Sequence, residues 1–220
     1  MLSGDKSRMT IIKAIENFIQ QDQILPDGRY KSWEHCFDFF QHKFKRKNWD
    51  HAALMLAFYL ASWGMYRGSS FLLQYTYTIH SEPLKIIFSQ RYRILRQKKI
   101  LQGTEISLLF QLINELRDFY LKKHHNIRPS IISKDQVSET LISKILMGVL
   151  GNIPAYDRFV KAGLKKSKIS HHMSQTSYNQ LVNFYHRHYK EIEILTKKYP
   201  YYPPMKLLDM YFLTLGQNVN

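Results

Sequence analysis

The chain has 220 residues and a formal net charge of +15 at pH 7, from 32 Lys and Arg against 17 Asp and Glu. This excess favours a polyanion such as nucleic acid as partner, because basic side chains release counterions from phosphates; a merely basic protein is the alternative. The single cysteine, Cys36, excludes a disulfide framework and a cysteine zinc site, and no run reaches the roughly 20 apolar residues of a membrane helix. The N-terminus has no signal-peptide pattern, so we expect a cytoplasmic protein.

Apolar residues recur at three- and four-residue spacing along most of the chain, and alternating strand-like segments are scarce. The pattern predicts an all-α protein, with residues 1–220 forming one compact unit or two lobes with a cleft between them. A first helix is predicted over residues 10–21, and Ser32 is expected to cap a second over 32–44. The most apolar segment, 50–66, is expected to cross the centre of the fold.

Residues 71–80 read as a short helix or an extended piece, and Pro83 is expected to open another helix. Thr104 is a candidate N-cap, and residues 124–136 read as a polar linker. Four further helices are predicted over residues 104–123, 137–150, 175–198 and 205–216. The last helix can close the core or form a dimer contact; closing the core is favoured, and we expect a monomer.

Several histidine pairs invite a metal interpretation. The pairs lack the i, i+4 spacing and the third ligand of a helical metal site, so histidines that are solvated or contact phosphate are preferred. The sequence also has no phosphate-binding loop, glycine-rich dinucleotide turn or GxSxG elbow. We therefore expect neither a metal nor a cofactor. The pairs are His124-His125, His171-His172, and His186 with His188.

The segment RDFYLKKH, from Arg117 to His124, has an arginine and a histidine separated by six residues. This spacing is similar to the Rx4–6H pattern of the HEPN ribonucleases, which are all-helical. The resemblance implies that the pair would hold and activate the RNA 2′-hydroxyl and its phosphate. A ribonuclease of this kind, or a non-catalytic nucleic-acid-binding protein, is the alternative to the function inferred below.

The segment WGMYRGSS, residues 63–70, concentrates aromatic, arginine, glycine and hydroxyl groups where the apolar segment ends. Such a set can line a pocket in which an aromatic ring stacks on a base and an arginine contacts phosphate. The alternative is that the aromatic residues are core and the glycines permit close helix packing. The candidate pocket residues are Trp63, Tyr66, Arg67, Ser69, Ser70 and Gln74.

In ETLISKILMGVLGNIPAYDRFVKAGL, residues 139–164, an apolar helix ends at Gly151 and a proline-containing loop delivers Asp157 to the start of the next helix. This unit resembles the helix-hairpin-helix DNA glycosylases, in which an aspartate at that place is catalytic. The resemblance implies an all-α enzyme that flips a damaged or modified base out of double-stranded DNA and hydrolyses its glycosidic bond. Defence against phage DNA with modified cytosines is an extension of that expectation.

The sequence departs from the family pattern at two places. The hairpin glycines are expected near residues 135–137, which read DQV, and Glu139 occupies the position of the Schiff-base lysine of bifunctional members. A monofunctional enzyme follows from the resemblance, unless Lys144 substitutes. The expected DNA-backbone contacts are Lys144, Arg158, Lys165, Lys166 and Lys168.

Asp157 has a chemical interpretation and a structural one. Cleavage of an N-glycosidic bond develops positive charge on the sugar, which an ionised carboxylate stabilises, while basic side chains hold the phosphates and favour that ionised form. An aspartate at a helix start also accepts hydrogen bonds from free backbone N–H groups. Asp157 can do both.

Overall fold

The computed structural model describes residues 10–23, 25, 27–127 and 137–217. Within these ranges the chain is all-helical, as predicted, and contains eleven α-helices with no strand. None of the described helices combines the length and the apolar character needed to cross a bilayer. The helices are α1 (Ile11–Gln23), α2 (Lys31–Asp38), α3 (Trp49–Ser62), α4 (Ser81–Ile87), α5 (Arg93–Gln97), α6 (Thr104–Ile127), α7 (Glu139–Val149), α8 (Arg158–Lys166), α9 (Gln175–Arg187), α10 (Tyr189–Lys198) and α11 (Pro204–Gln217).

Helix α7 is the element enclosed by the rest of the fold. Every residue from Leu141 to Val149 is buried, including a serine, a lysine and a glycine. Helix α3 was expected to hold this central place, but it is half-buried: Leu54 is 47 % and Phe58 is 59 % exposed. Its opposite face, with Leu56 and Tyr59, is fully buried against the core. The expectation was wrong because an apolar composition does not show which faces find a partner.

Several helix boundaries in the first half differ from those predicted. Ser32 lies inside α2 rather than capping it, and its hydroxyl donates to Arg29 O at 2.6 Å. Helix α2 continues as one π-helical turn over Phe39–Lys43, and α3 ends at Ser62 instead of residue 66. Residues 71–80 form two 3₁₀ turns, which hydrophobic spacing does not separate from a short helix.

Three further boundaries differ in the second half. The helix predicted over 175–198 is interrupted at His188, whose φ of −114° and ψ of 23° separate α9 from α10. Thr104 is the first helical residue of α6 rather than a cap before it. The predicted linker begins later than expected, because α6 continues to Ile127. The remainder of that linker, 128–136, and the expected hairpin positions Asp135 and Gln136 lie outside the described residues.

Helices α8 and α11 cross at two glycines. A Cβ atom on Gly163 would overlap the carbonyl oxygen of Phe212, and one on Gly216 would overlap that of Phe159. The backbones therefore approach more closely than any larger residue permits. This crossing fixes α8, and with it Asp157 at its N-terminus, against the last helix of the described chain.

Helix α8 ends in a Schellman motif with a lysine at the left-handed position. The N–H of Ile169 donates to Leu164 O at 3.0 Å and that of Lys168 donates to Lys165 O at 3.1 Å. Lys168 has φ = 57°, a conformation that favours glycine. Its side chain is exposed and does not compensate for this strain through burial.

We expect Lys168→Gly to raise the free energy of unfolding by roughly 0.5–1 kcal/mol, because glycine adopts this conformation without steric cost. Lys165→Gly, inside the same helix, is the matched control and should lower it by a similar amount. Urea unfolding of both variants measures the difference. A destabilised Lys168→Gly protein would contradict the assignment of strain to this residue.

Candidate functional site

The loop between α7 and α8 is buried and tethered along its length. Residues 151–156 are all buried, and hydrogen bonds hold the loop at Asn152, Ala155 and Tyr156. The resulting path is determined by neighbouring helices rather than by the loop itself, so Asp157 is delivered to a defined position. The tethers are Asn152 Nδ2 to Leu95 O (2.8 Å), Tyr178 OH to Asn152 O (2.9 Å), Ala155 N to Asp209 Oδ1 (2.9 Å), Tyr156 N to Ser143 Oγ (2.8 Å) and Thr140 Oγ1 to Tyr156 O (2.8 Å).

Asp157 uses its two carboxylate oxygens differently. Oδ1 accepts hydrogen bonds from the N–H groups of Phe159 and Val160, both at 3.1 Å, so Asp157 is the N-cap of α8. Oδ2 faces the ammonium of Lys144 at 3.6 Å, and 14 % of the side chain is exposed. The cap therefore leaves one oxygen directed at the lysine.

Lys144 projects from the buried helix α7 to this carboxylate. Its residue is only 4 % exposed, and Nζ also donates to the carbonyl oxygen of Trp63 at 3.4 Å. Burial lowers the pKa of the Lys144 ammonium below its ordinary value, while the carboxylates of Asp157 and Asp209 oppose that shift. A buried cation without such partners would be costly, so the acids and this lysine depend on one another.

A second buried ion pair lies behind the first. Lys206 and Asp209 of α11 are 3 % and 2 % exposed, and Lys206 Nζ donates to Asp209 Oδ2 at 2.9 Å. Because Asp209 Oδ1 accepts the N–H of Ala155, this pair also anchors the loop that carries Asp157. Neither residue was predicted from the sequence, since an i, i+3 pair does not show that it is buried, and the contact with Ala155 joins distant parts of the chain.

The Asp157 and Lys144 side chains line a cleft of about 550 Å³. Four cations line it, Arg29, Arg67, Lys144 and Arg158, and Asp157 is the one carboxylate among its described lining residues. The excess of positive charge suits an anionic ligand with one cationic centre. The full lining is Arg29, Tyr30, residues 61–67, Thr140, Lys144, residues 157–159, Leu213 and Gln217.

The turn after α3 brings its arginine back over a glycine. Gly64 has φ = 75°, and a Cβ there would lie 2.8 Å from Arg67 Nε. A larger residue would therefore displace the guanidinium from the cleft wall. This explains why the WGMYR segment contributes Trp63, Tyr66 and Arg67 to the same cleft as Asp157.

Four aromatic rings line the cleft, and three of them are paired with cations. Lys144, Lys206 and Arg29 lie 5.0, 5.7 and 5.9 Å from the Trp63 ring centroid. Arg29 also lies over Tyr30, and Arg158 over Phe159. Within the described part of the chain, Tyr66 is the cleft ring with no cation over it. Its ring is the one best placed to stack on a ligand.

Tyr66 is held by a buried histidine. Its hydroxyl is 2.7 Å from His80 Nε2, and the hydroxyl of Tyr120 is 2.6 Å from His80 Nδ1. Burial lowers the pKa of His80 to about 3, so the ring is neutral at pH 7 and one nitrogen donates while the other accepts. The Tyr66 hydroxyl is thus engaged by His80, so the ring is the part of this lining residue that is available to a ligand.

Other predicted pocket residues lie elsewhere. Ser69 and Ser70 line a separate cavity of about 230 Å³, and the Ser70 hydroxyl donates to Met65 O and accepts the N–H of Leu72. Gln74 is exposed and is not part of the cleft lining. The segment after α3 thus has two roles. Trp63, Tyr66 and Arg67 line the cleft, whereas Ser70 caps the following 3₁₀ turn.

The predicted DNA-backbone contacts are also divided. Lys144 and Arg158 line the cleft, whereas Lys165 and Lys168 are exposed at the other end of α8, about 14 Å along a helix of nine residues. Lys166 Nζ donates to Leu215 O at 3.0 Å, so it contacts the last turn of α11. The lysines near the end of α8 therefore lie away from Asp157.

The HEPN-like pair is divided between two cavities. Arg117 lines a cavity of about 770 Å³ beside the N-terminus of α7, and His124 lines the smaller cavity beside Ser70, where its ring contacts the edge of Phe71. Among the described residues, no group of three or more His, Cys, Asp or Glu side chains is arranged to hold a metal.

The cleft residues contributed by distant segments were not predicted from the sequence. Arg29 and Tyr30 lie in the turn before α2. An arginine next to an aromatic in a turn was the available signal. No sequence signal indicated Leu213 and Gln217, because their position in the cleft depends on the crossing of α8 and α11.

No protein-family model matches this chain, and no curated protein or solved structure is significantly similar to it. The site is therefore interpreted from its own geometry.

We expect the buried state of His80 to make stability depend on pH. The unfolded chain binds a proton at His80 near pH 6.5 and the folded chain only near pH 3, so the free energy of unfolding falls as pH is lowered through this window. The contribution is roughly 1.5–2 kcal/mol between pH 6.5 and pH 5. Urea unfolding at both pH values measures it.

His80→Gln should remove this part of the pH dependence, whatever its effect on stability at a single pH. His186→Gln, at an exposed histidine, is the control and should retain it. Equal pH dependence in the two variants would contradict a buried neutral His80.

Proposed function

We propose that the protein is a monofunctional DNA N-glycosylase that resembles the helix-hairpin-helix DNA glycosylases. The observation that carries the proposal is the placement of Asp157 and Lys144 in one cleft with Arg67 and Arg158. Arginines suit the phosphates that flank a flipped nucleotide, and the carboxylate suits the positive charge that develops on its sugar. The helix–loop–Asp–helix unit formed by α7, residues 150–157 and α8 agrees with the family pattern.

In the proposed reaction a base is flipped into the cleft and stacks on Tyr66. The bond between C1′ and the base nitrogen breaks, and the departing base takes the bonding electrons and a proton from solvent. Asp157 stabilises the oxocarbenium-like sugar and accepts a proton from the water that adds to C1′. The products are a free base and an abasic site in DNA.

The side chains around Asp157 support hydrolysis without strand cleavage. A lyase reaction needs an amine that is free to attack C1′, whereas Lys144 is only 4 % exposed and its Nζ is held between Asp157 Oδ2 at 3.6 Å and Trp63 O at 3.4 Å. Glu139, at the position of the Schiff-base lysine, is used structurally: it accepts the N–H of Met173 at 3.0 Å and pairs with Lys161 at 2.5 Å. We therefore assign Lys144 an electrostatic role.

The test is base release from duplexes with a damaged base, with a modified cytosine, or with ordinary bases only. After incubation, alkali converts abasic sites to strand breaks, and at least one damaged or modified duplex should break. Asp157→Asn should lower the rate about 100-fold or more, because the charge facing the sugar is lost. Asparagine caps helices as well as aspartate, so the start of α8 is retained.

Two further variants separate chemistry from folding. Asp118→Asn, at an exposed carboxylate of α6 outside the cleft, is the matched control and should keep full activity. The double variant Asp157→Asn/Lys144→Met removes the buried charge that the single variant leaves unpaired, so it should be more stable than Asp157→Asn and equally inactive.

Three outcomes would contradict the proposal. Base release that persists in Asp157→Asn would remove the catalytic role. RNA cleavage that is lost in His124→Ala would favour the ribonuclease, and nucleic-acid binding without base release or cleavage would favour a non-catalytic module. Borohydride trapping of the protein on DNA through Lys144 would overturn the monofunctional assignment.

A further inference from the structure

Two basic segments far apart in the chain meet at the end of α4. They are KFKRK, residues 43–47, and RYRILRQKK, residues 91–99. Arg46 Nη2 donates to Phe88 O at 2.7 Å, and Arg96 Nη1 donates to Ile87 O at 2.7 Å and to Ser89 O at 3.0 Å. The two guanidinium groups thus converge on three consecutive carbonyls.

The centre of this basic region has no acidic partner. Burial, followed by the neighbouring charges of Arg46 and Arg93, lowers the pKa of Arg96. No carboxylate of the described residues forms an ion pair with any of these three arginines. Among the described residues, the carboxylates that pair with these two segments do so at their margins, where Asp38, Glu115 and Glu105 pair with Lys43, Arg91 and Lys98.

Helix capping explains only part of this charge. Arg46 and Arg96 satisfy the carbonyls that end α4, which is a structural role. Lys45, Lys47 and Arg93 are exposed, and their side chains form no hydrogen bond or ion pair within the described chain. Like charges held together in this way repel one another unless an anion binds between them.

We infer that Lys45, Arg46, Lys47, Arg93 and Arg96 form a surface that binds the phosphodiester backbone of duplex DNA. We call it the Arg96 surface. The backbone carbonyls hold two guanidinium groups while leaving other N–H donors free, and a fork of parallel donors matches phosphate oxygens. The bordering rings of Phe44, Trp49 and Phe88 pack against one another, which does not suit insertion into a lipid bilayer.

This surface is remote from the Asp157 cleft. Trp49 at the start of α3 lies beside it, whereas Ser62 at the end of α3 lines the cleft. A helix of 14 residues separates them by about 20 Å, the length of about six base pairs of a duplex at 3.4 Å each. The inference rests on the proposed function only in taking DNA as the ligand. The contact it describes is with phosphates away from the target nucleotide.

The triple variant Lys45→Gln/Lys47→Gln/Arg93→Gln tests the surface and leaves both capping arginines in place. Binding to an undamaged fluorescent duplex is measured by anisotropy between 50 and 200 mM salt. Loss of three phosphate contacts should reduce the slope of log K against log salt by about 2–3. Affinity at low salt should fall about tenfold or more, and an unchanged circular dichroism spectrum verifies the fold.

The control is Lys13→Gln/Lys122→Gln/Lys190→Gln, which removes the same charge from exposed positions on α1, α6 and α10. It should change the slope by less than 1. Equal effects of the two triple variants would show that DNA binding depends on net charge and not on this surface, and would overturn the inference. An unchanged slope in the Lys45/Lys47/Arg93 variant would also overturn it. Loss of binding to phosphatidylserine vesicles in that variant, with DNA binding retained, would overturn it as well.

Base release by the unmodified protein, measured beside the salt slope of the Lys45/Lys47/Arg93 variant, distinguishes failure of this inference from failure of the proposed function. A protein that never releases a base, yet loses slope in the Lys45/Lys47/Arg93 variant, would refute the glycosylase and support the surface. Base release by the unmodified protein, together with an unchanged slope in that variant, would support the glycosylase and refute the surface.

Discussion

The buried ammonium of Lys144 is the constraint on which the cleft depends. An ammonium held inside a protein costs several kcal/mol unless charged and polar partners surround it. Its partners come from three places: Asp157 at the start of α8, the carbonyl of Trp63 after α3, and Asp209 of α11 through the field of a second ion pair. Four elements must be packed correctly before this charge is compensated, so the site and the fold form together.

The same arrangement explains how Asp157 can cap a helix and still face the cleft. A carboxylate has two oxygens, and one is sufficient to accept the N–H groups of Phe159 and Val160. Asp209 repeats this division, with one oxygen on Lys206 and the other on the N–H of Ala155. Both acids use one oxygen to fix the backbone and the other to meet a buried lysine. Capping and function therefore do not compete at Asp157.

Helix α3 separates two regions of positive charge. The cleft at its end surrounds the one carboxylate of its described lining with arginines, and the central arginines of the Arg96 surface at its start form no ion pair with a described carboxylate. A net charge of +15 alone does not distinguish these environments. The first is suited to a ligand that carries anionic and cationic centres together, and the second to a row of phosphates. Charge distribution thus carries more functional information than charge content.

Local patterns in the sequence determined the helical class, the positions of most helices and the capping role of Asp157, because each depends on residues within a few positions of one another. The breaks at Ser62 and His188, the internal position of Ser32 and the use of Lys166 against α11 did not follow from such patterns. Only the tertiary structure decided that Lys144, Trp63 and Asp157 share a cleft, and that Arg46 meets Arg96. The physical reason is that these contacts depend on how closely helices approach, as at Gly163 and Gly216, and hydrophobic spacing does not specify which faces meet.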